Sequence, residues 1–173
     1  MNRVNMLLKD HAYQGFILRN RELEESRIYC RHTFEHTLDV ARITYILMLE
    51  NGSFSNWIRE SELGSEHIGK ELIYTAGILH DIGRWEEYET GESHALTSAR
   101  YAVTIMEKYG YAPKEITMVT DAIKEHRGSC SPVTVLGRYL RIADRLSRLC
   151  FSCRARNTCK NIPNMETADG LIY

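Results

Sequence analysis

The sequence has no apolar run long enough to cross a membrane. Its longest apolar stretch covers residues 43–49, whereas a membrane-spanning helix needs about 20 apolar residues. Near the N-terminus, Lys9, Asp10 and His11 stand where a secretory signal peptide would have its apolar segment. We therefore expect no signal peptide, no membrane partner and a cytoplasmic location.

The sequence also lacks an excess of charge of either sign. Its 22 Lys and Arg residues against 23 Asp and Glu residues give a formal net charge of -1 at pH 7. Proteins that attract nucleic acid or anionic membranes through a general electrostatic field carry a large positive charge. We therefore expect no nucleic acid partner, and any ligand must be recognised at a local site.

The chain has only five cysteines, an odd number that fits a reducing compartment better than a disulfide framework. Cys150 and Cys153 form a Cys-x-x-Cys pair, and Cys159 follows soon after. With Cys30 or Cys130 as a fourth ligand, these thiols could bind zinc or an iron–sulfur cluster. The alternative is that they are free cysteines that pack as small apolar side chains.

No segment alternates apolar and polar residues for long enough to predict a strand. Apolar residues at helical spacing recur along the chain, so we predict an all-α fold, a bundle of about six to eight helices. The length of 173 residues and the apolar content of 43% suit one globular domain. We expect this helical domain at residues 1–149 and a Cys-rich C-terminal tail at residues 150–173.

Turn and capping residues predict the boundaries of the helices. One or two helices should cover residues 2–27, with a break at Gly15, and the next should cover residues 30–50. Residues 51–70 should include a polar loop, with a short helix around Trp57 and Ile58, that forms a lid or an insertion. The remaining segments are expected to be an acidic loop (85–92), two helices (93–110 and 113–126), a turn (128–132) and a last helix (133–149).

Several of these helices carry a polar residue where the apolar face predicts a leucine. Extending each apolar stripe at helical spacing leads to His36, His94, His126 and Asp144, and a further helix ends with His80-Asp81. Any one of these residues could be an ordinary core residue, but a buried carboxylate without a partner costs several kcal/mol. We therefore predict that these six residues bind one or two divalent transition-metal ions.

The ordered series resembles the HD superfamily of metal-dependent phosphohydrolases, all-helical proteins named for their His, His-Asp and Asp ligands. The match to one metal site consists of His36 in HTLDVAR, His80-Asp81 in LHDIG and Asp144 in RIADRL. The match to a second metal site consists of His94 in HALTSARYA and His126 in KEHRG. The sequence contexts look most like those of the small bacterial enzymes that split symmetrical dinucleoside tetraphosphates.

The resemblance implies hydrolysis of a nucleotide or another phosphate ester or anhydride by a metal-activated hydroxide. Asp81 would bridge two metals, and Arg84 and Arg145 would neutralise charge on the reacting phosphate. The expected contacts of a small phosphorylated substrate are His32, Arg84, Arg127 and Arg145. His and Asp ligands admit Fe, Mn, Ni, Co or Zn, so they do not select the metal.

Two other functions would use the same residues. One is a mixed-valent di-iron oxygenase, in which the metals activate O₂ instead of water. The other is a non-catalytic module that senses a nucleotide at the His and Asp site and docks a partner through the Cys-rich tail. The complete ligand series favours an enzyme, because a sensor does not need a site that generates hydroxide.

Overall fold

A computed structural model describes residues 1–127 and 134–173. These residues form helices and turns but no strand, which confirms the predicted all-α class. The turn predicted at residues 128–132 lies outside the described residues. Within the described ranges the nine α-helices are α1 (Asn2–Leu7), α2 (His11–Leu23), α3 (Phe34–Glu50), α4 (Ser53–Glu60), α5 (Glu66–Leu79), α6 (Arg84–Thr90), α7 (His94–Lys108), α8 (Pro113–Glu125) and α9 (Val135–Leu146).

The N-terminal helices separate at Asp10 and not at Gly15 as predicted. The Asp10 carboxylate caps α2 by accepting hydrogen bonds from the backbone N–H groups of Ala12 at 2.8 Å and Tyr13 at 3.0 Å. An acidic N-cap satisfies backbone donors that would otherwise have no partner. Gly15 lies inside α2, because a glycine alone does not stop a helix whose start is capped.

Two further boundaries differ from the prediction. Residues 84–90 form helix α6 and not an acidic loop, and Glu86 and Glu87 in its first turn suit the positive end of the helix dipole. Helix α3 begins at Phe34 because Thr33 caps it, so His32 precedes the helix that carries His36. The described helices outnumber the predicted six to eight because α1, α4 and α6 are short.

Residues 51–70 join the bundle. Phe54, Trp57 and Ile58 of α4 are buried and belong to the main hydrophobic core. Ser53 Oγ lies 2.6 Å from the hydroxyl oxygen of Tyr139 on α9, which ties the start of α4 to the last long helix. This part of the chain therefore extends the core.

Helices α3 and α5 pack closely at the centre of the bundle. Gly77 permits this approach, because a Cβ atom at that position would lie 2.5 Å from the Cα atom of Ala41. The core around the two helices is apolar and includes Val40, Met48, Leu72, Ile73, Leu79 and Ile123. The close contact places the end of α5 beside the start of α3, where two of the predicted metal-binding segments lie.

Four 3-10 turns follow α9, the first at Cys150–Ser152 and the last at Glu166–Ala168. None of the helices in the described part of the chain is long and apolar enough to span a membrane.

Asp10→Ala should lower the free energy of unfolding by about 1 kcal/mol or more, the usual effect of losing an N-cap side chain. The carboxylate also accepts hydrogen bonds from Lys108 Nζ at 2.6 Å and from the Tyr109 hydroxyl at 2.8 Å. Urea unfolding at neutral pH measures the loss. Asp10→Asn keeps a capping oxygen and should lose less.

The loss should also depend on pH. Burial alone would raise the pKa of Asp10, but hydrogen bonds with Lys108 and with the backbone of Tyr13 lower that pKa from 3.8 to about 2. Because the folded pKa lies below the unfolded pKa, the carboxylate stabilises the fold fully above the unfolded value and less as the pH falls through the folded value. A difference between wild type and Asp10→Ala that stayed constant down to the folded pKa would contradict this account.

Candidate metal centre

Five helix ends meet on one side of the bundle, and each carries a His or an Asp. His36 lies in the first turn of α3, and His94 is the first residue of α7. His80 and His126 directly follow α5 and α8, and Asp144 lies in the last turn of α9. The structure brings together the six residues predicted as metal ligands: His36, His80, Asp81, His94, His126 and Asp144.

One group of potential ligand atoms belongs to His36, His80, Asp81 and Asp144, and these atoms lie within 4.8 Å of one another. His80 Nε2 lies 2.9 Å from Asp81 Oδ2 and 3.9 Å from Asp144 Oδ1. His36 Nε2 lies 3.5 Å from Asp81 Oδ2 and 3.2 Å from Asp144 Oδ1. Two imidazoles and two carboxylates form a ligand set that suits a divalent transition metal.

A second group consists of Asp81, His94 and His126. His94 Nε2 lies 3.2 Å from Asp81 Oδ1, and His126 Nε2 lies 3.8 Å from the same oxygen. The two Nε2 atoms are 3.2 Å apart. Asp81 therefore presents Oδ2 to the first group and Oδ1 to the second, as a carboxylate that bridges two ions would.

Backbone carbonyls orient two of the imidazoles. The Nδ1 atom of His80 lies 2.7 Å from the carbonyl oxygen of Gly77, and that of His126 lies 2.6 Å from the carbonyl oxygen of Ile123. Because a carbonyl can only accept, each Nδ1 donates its hydrogen. The Nε2 atoms of both rings then direct a lone pair towards the site, as metal ligation requires.

A carboxylate orients the third imidazole of the site. Glu87 of α6 places Oε2 against Nδ1 of His94, so this ring also presents Nε2 to Asp81. Burial would raise the pKa of Glu87, but the hydrogen bond and charge of His94 and the charges of Arg84 and Arg127 lower it to about 2. The sequence pattern does not reveal the role of Glu87, because that role depends on α6 packing beside the start of α7.

Two buried atoms indicate that the site is built for a cation. His80 Nε2 and Asp81 Oδ1 have no hydrogen-bond partner among the described residues, and both atoms are buried. A buried imidazole nitrogen and a buried carboxylate oxygen without partners are costly in a folded protein. A metal ion on each side of Asp81 would satisfy both atoms, so the residues present fit a metal centre.

The electrostatics of the cluster keep its two carboxylates ionised. Burial would raise the pKa of Asp81, but the charges of His80 and His32 and a hydrogen bond from His36 hold it well below its usual value. Burial would likewise raise the pKa of Asp144, but the His36 hydrogen bond and the Arg148 charge lower it. Both carboxylates are therefore ionised at neutral pH.

The pKa of His126 moves in the direction that favours a neutral ligand. Burial lowers it first, the charge of His80 lowers it further, and it falls to about 4. Neutral imidazole is the form that binds a metal ion. The second group therefore has a neutral nitrogen ligand beside an ionised carboxylate across the physiological pH range.

The turn between α5 and α6 is held from two sides. A Cβ atom at Gly83 would lie 2.2 Å from Thr97 Oγ1 and 2.6 Å from the backbone nitrogen of Ser98, so only glycine fits against α7. From the other side, the buried Asn20 of α2 donates to the carbonyl of Asp81 at 2.9 Å and accepts from the backbone N–H of Trp85 at 2.6 Å. These contacts fix the position of the His80-Asp81 pair.

His32 lies beside the first group, although it precedes α3. Its Nδ1 contacts Oε1 of the buried Glu24, and its Nε2 lies 3.9 Å from Asp81 Oδ2. The Tyr88 hydroxyl donates to the same Glu24 oxygen at 2.6 Å. His32 is therefore oriented towards the site by Glu24, a residue to which no sequence motif points.

The predicted arginines occupy different positions. Arg84 Nη1 donates to Glu87 Oε2 at 2.7 Å, and Arg127 Nη1 donates to both Glu87 oxygens at 2.9 Å. Arg145 contacts the carbonyl of Asn164, and its side chain is 49% exposed. Arg148, which was not among the predicted site residues, contacts the first group, with Nη2 2.9 Å from His36 Nε2 and 3.2 Å from Asp144 Oδ1.

A cavity of about 690 Å³ opens over both groups of ligands. Asp81, His94, His126 and Asp144 line one part of it. Residues 51–70 are not among its lining residues, and α4 packs into the core. The lid or insertion at residues 51–70 stays a prediction. The C-terminal segment forms part of the wall, and the basic lining residues are Arg27, Arg84, Arg127, Arg145, Arg148 and Lys160.

Comparisons with known proteins give related sequences. A family profile described as HD domain matches residues 33–149. An uncharacterized protein of Clostridium beijerinckii is 36% identical over 159 residues, which cover 92% of each chain. No solved structure gave a significant match.

Several further relatives are named Ribonuclease Y. Those of Geotalea uraniireducens and Geobacter metallireducens are 31% and 34% identical over 119 residues. The match covers 69% of this chain but only 18% of each ribonuclease. The chain therefore corresponds to a small part of those proteins.

Single substitutions should show that the two groups of ligands hold different metal ions. We expect His94→Ala and His126→Ala to lose one bound metal ion per chain and to keep the other. Asp81→Ala should lose both ions, because its two oxygens face the two groups. Elemental analysis of protein purified without added metal measures the stoichiometry.

His11→Ala is the matched control, because His11 is exposed at the start of α2. Circular dichroism should show that each variant is helical. Unchanged metal content in folded Asp81→Ala would show that the metal binds elsewhere.

Proposed function

Because this chain belongs to the HD domain family, we propose that it is a metal-dependent phosphohydrolase that acts on a small phosphorylated molecule. The observation that carries the proposal is the carboxylate of Asp81, which lies between two groups of metal-ligating side chains beneath a basic cavity. A bridging carboxylate below an open cavity suits an enzyme that holds metal and substrate side by side.

The residues of the chain have distinct tasks in this proposal. Bound divalent metal would act as a Lewis acid and lower the pKa of water towards neutrality. His36, His80, His94, His126 and Asp144 would hold the ions on either side of Asp81. Arg84 and Arg145, which line the cavity, would neutralise negative charge on the reacting phosphate.

The cavity supports an anionic substrate of moderate size. Six basic side chains line it, although the whole chain has a formal net charge of only -1. The positive charge is therefore concentrated where substrate would bind, which favours phosphate groups. A volume of about 690 Å³ lies within the usual range for a small-molecule site.

We propose a nucleotide as the substrate, with dinucleoside polyphosphates as the first class to test. Tyr29 lines the cavity beside the basic residues, and a phenol ring there could contact a base or a sugar. The similarity to ribonuclease Y adds a second class, the phosphodiesters, and a short oligonucleotide is therefore part of the test. His32 and Arg127, both in the cavity wall, are the proposed substrate contacts.

A substrate screen tests the reaction. Metal-loaded protein should release phosphate or a nucleotide from at least one member of a panel of dinucleoside polyphosphates, mononucleotides, phosphate monoesters and short oligoribonucleotides. Asp81→Asn should abolish turnover, because it removes the charge that holds both ions. Chelation should have the same effect, and added metal should restore activity to wild type but not to Asp81→Asn.

The same screen distinguishes the alternatives. Turnover under strictly anaerobic conditions supports hydrolysis. Consumption of O₂ that requires partly reduced iron, with no hydrolysis of any compound, would instead identify an oxygenase. Binding of nucleotide without turnover by fully metal-loaded protein would identify a sensor.

Removing one basic side chain from the cavity should weaken the handling of substrate and leave the metal in place. We expect Arg84→Ala and Arg145→Ala each to lower kcat/KM by roughly 10- to 100-fold, the effect of losing one charge-assisted hydrogen bond. Arg42→Ala is the control, because Arg42 is exposed and pairs with Asp39 on the surface of α3. Wild-type kcat/KM in both cavity variants would exclude these two arginines from the reaction.

A further inference from the structure

Four free cysteines lie close to one another at the edge of the fold. Cys30 is in the connection between α2 and α3, and the other three lie in the 3-10 segment after α9. Cys30, Cys150 and Cys153 line a cavity of about 310 Å³, and Cys30, Cys150 and Cys159 also line the large cavity above the His and Asp cluster. Cys30 and Cys150 therefore line both cavities, whereas Cys153 lines only the smaller cavity and Cys159 lines only the larger one.

The ionisation of Cys30 reflects this proximity. Burial raises the pKa of the Cys30 thiol, and the neighbouring thiols of Cys150, Cys153 and Cys159 raise it further, against the charge of Arg148.

The segment that contains three of these cysteines has little core of its own. In residues 150–173, the buried side chains are Cys150, Ala155, Thr167 and Ala168. Phe151 is 40% exposed and Leu171 is 68% exposed. Segments that bury so little apolar surface usually depend on a disulfide or a structural metal for a fixed conformation.

The hydrogen bonds that hold this segment against the helical body involve exposed groups. The Tyr29 hydroxyl donates to the carbonyl of Thr158 at 3.4 Å, and Arg145 contacts the carbonyl of Asn164. Arg148, at the end of α9, donates to the carbonyl of Arg31 at 3.0 Å. These contacts bring the loop that carries Cys30 next to the Cys-rich segment, but they are too exposed to fix it firmly.

We propose that Cys30, Cys150, Cys153 and Cys159 are the four thiolate ligands of an iron–sulfur cluster that joins the C-terminal segment to the loop before α3. Four cysteine thiolates are the standard ligand set of such clusters, and two of them here form a Cys-x-x-Cys pair. This centre is separate from the His and Asp cluster and shares no ligand with it.

The spacing of the thiols favours a cluster over a single zinc ion. With Zn–S bonds of about 2.3 Å, a tetrahedral zinc site holds its four sulfur atoms only about 3.8 Å apart. In the described part of the chain, the groups whose ligand atoms lie within 4.8 Å of one another contain no cysteine. An iron–sulfur cluster separates its thiolates more widely than a single ion does, because inorganic sulfide and several iron atoms lie between them.

The centre would also affect the cavity above the His and Asp cluster. Cys159 is followed by Lys160 and Asn161, which line that cavity together with Met165. A cluster bound to Cys159 would hold this part of the wall in place. The inference does not depend on the phosphohydrolase activity, because its readouts are sulfide, iron and thiol reactivity.

Anaerobic purification of the full chain tests the proposal. We expect wild-type protein to contain acid-labile sulfide, iron beyond that bound by the His and Asp cluster, and the broad visible absorption of an iron–sulfur cluster. Asp81→Ala should lose the His and Asp metals and keep all of the sulfide. The metal of the His and Asp cluster and the proposed iron–sulfur cluster can thus be lost independently of each other.

Serine variants identify the ligands. Cys30→Ser, Cys153→Ser and Cys159→Ser should each lose most of the sulfide and the visible absorption. Cys130→Ser is the matched control, because Cys130 is the one cysteine of the sequence that is not part of the proposed set. Loss of sulfide from Cys130→Ser with full retention in Cys30→Ser would overturn the choice of the fourth ligand.

Alkylation of wild-type protein tests the proposal without a substitution, so it remains informative if a variant does not fold. In the intact protein, Cys30, Cys150, Cys153 and Cys159 should be protected from iodoacetamide, and all four should react after the cluster is removed. Wild-type protein with zinc but no sulfide, with disulfides among these cysteines, or with four freely reactive thiols would overturn the cluster.

Discussion

The burial of the Asp81 carboxylate is the constraint on which the rest of the structure depends. An ionised carboxylate inside a protein requires charge and hydrogen-bond partners, because its desolvation costs several kcal/mol. Asp81 is 2% exposed, and four imidazoles from three other parts of the chain lie within 4 Å of it. This arrangement requires five helix ends to meet at one place. The close packing of α3 against α5 at Gly77 therefore positions residues of the site as well as residues of the core. Cations on both sides of the carboxylate are the simplest way to satisfy it.

A set of surrounding acids and bases keeps the ligands in place and creates a basic cavity in a nearly neutral protein. Glu24 and Glu87 contact the outer nitrogen atoms of His32 and His94, so each imidazole directs its other nitrogen inward. Arg84 and Arg127 in turn neutralise Glu87, and they belong to the same cavity wall. The carboxylate of Glu87, which orients His94, is thus balanced by two arginines that are also proposed to contact the substrate.

The C-terminal segment connects this site to the cysteines. Arg148 lies between them, with contacts to His36 and Asp144 on one side and to the carbonyl of Arg31 on the other. Cys30 and Cys150 border the cavity above the His and Asp cluster. The two proposed metal centres are therefore near neighbours, and the same arginine contacts the surroundings of both. The wall between them comes from a segment that has almost no apolar core of its own.

The sequence by itself determined the helical class and the inward direction of His36, His94, His126 and Asp144, because helical spacing is a local property that shows which side chains share a buried face. It did not determine the cap at Asp10, helix α6, or the roles of Asn20, Glu24, Glu87 and Arg148. Each of these depends on partners that adjacent residues do not reveal: Asn20 contacts a turn about sixty residues away, and Arg148 reaches a histidine more than a hundred residues away. The position of residues 150–173 over the cavity, and the packing of residues 51–70 into the core, were also decided by the tertiary structure. Contacts between distant segments depend on the whole fold, and no local pattern encodes them.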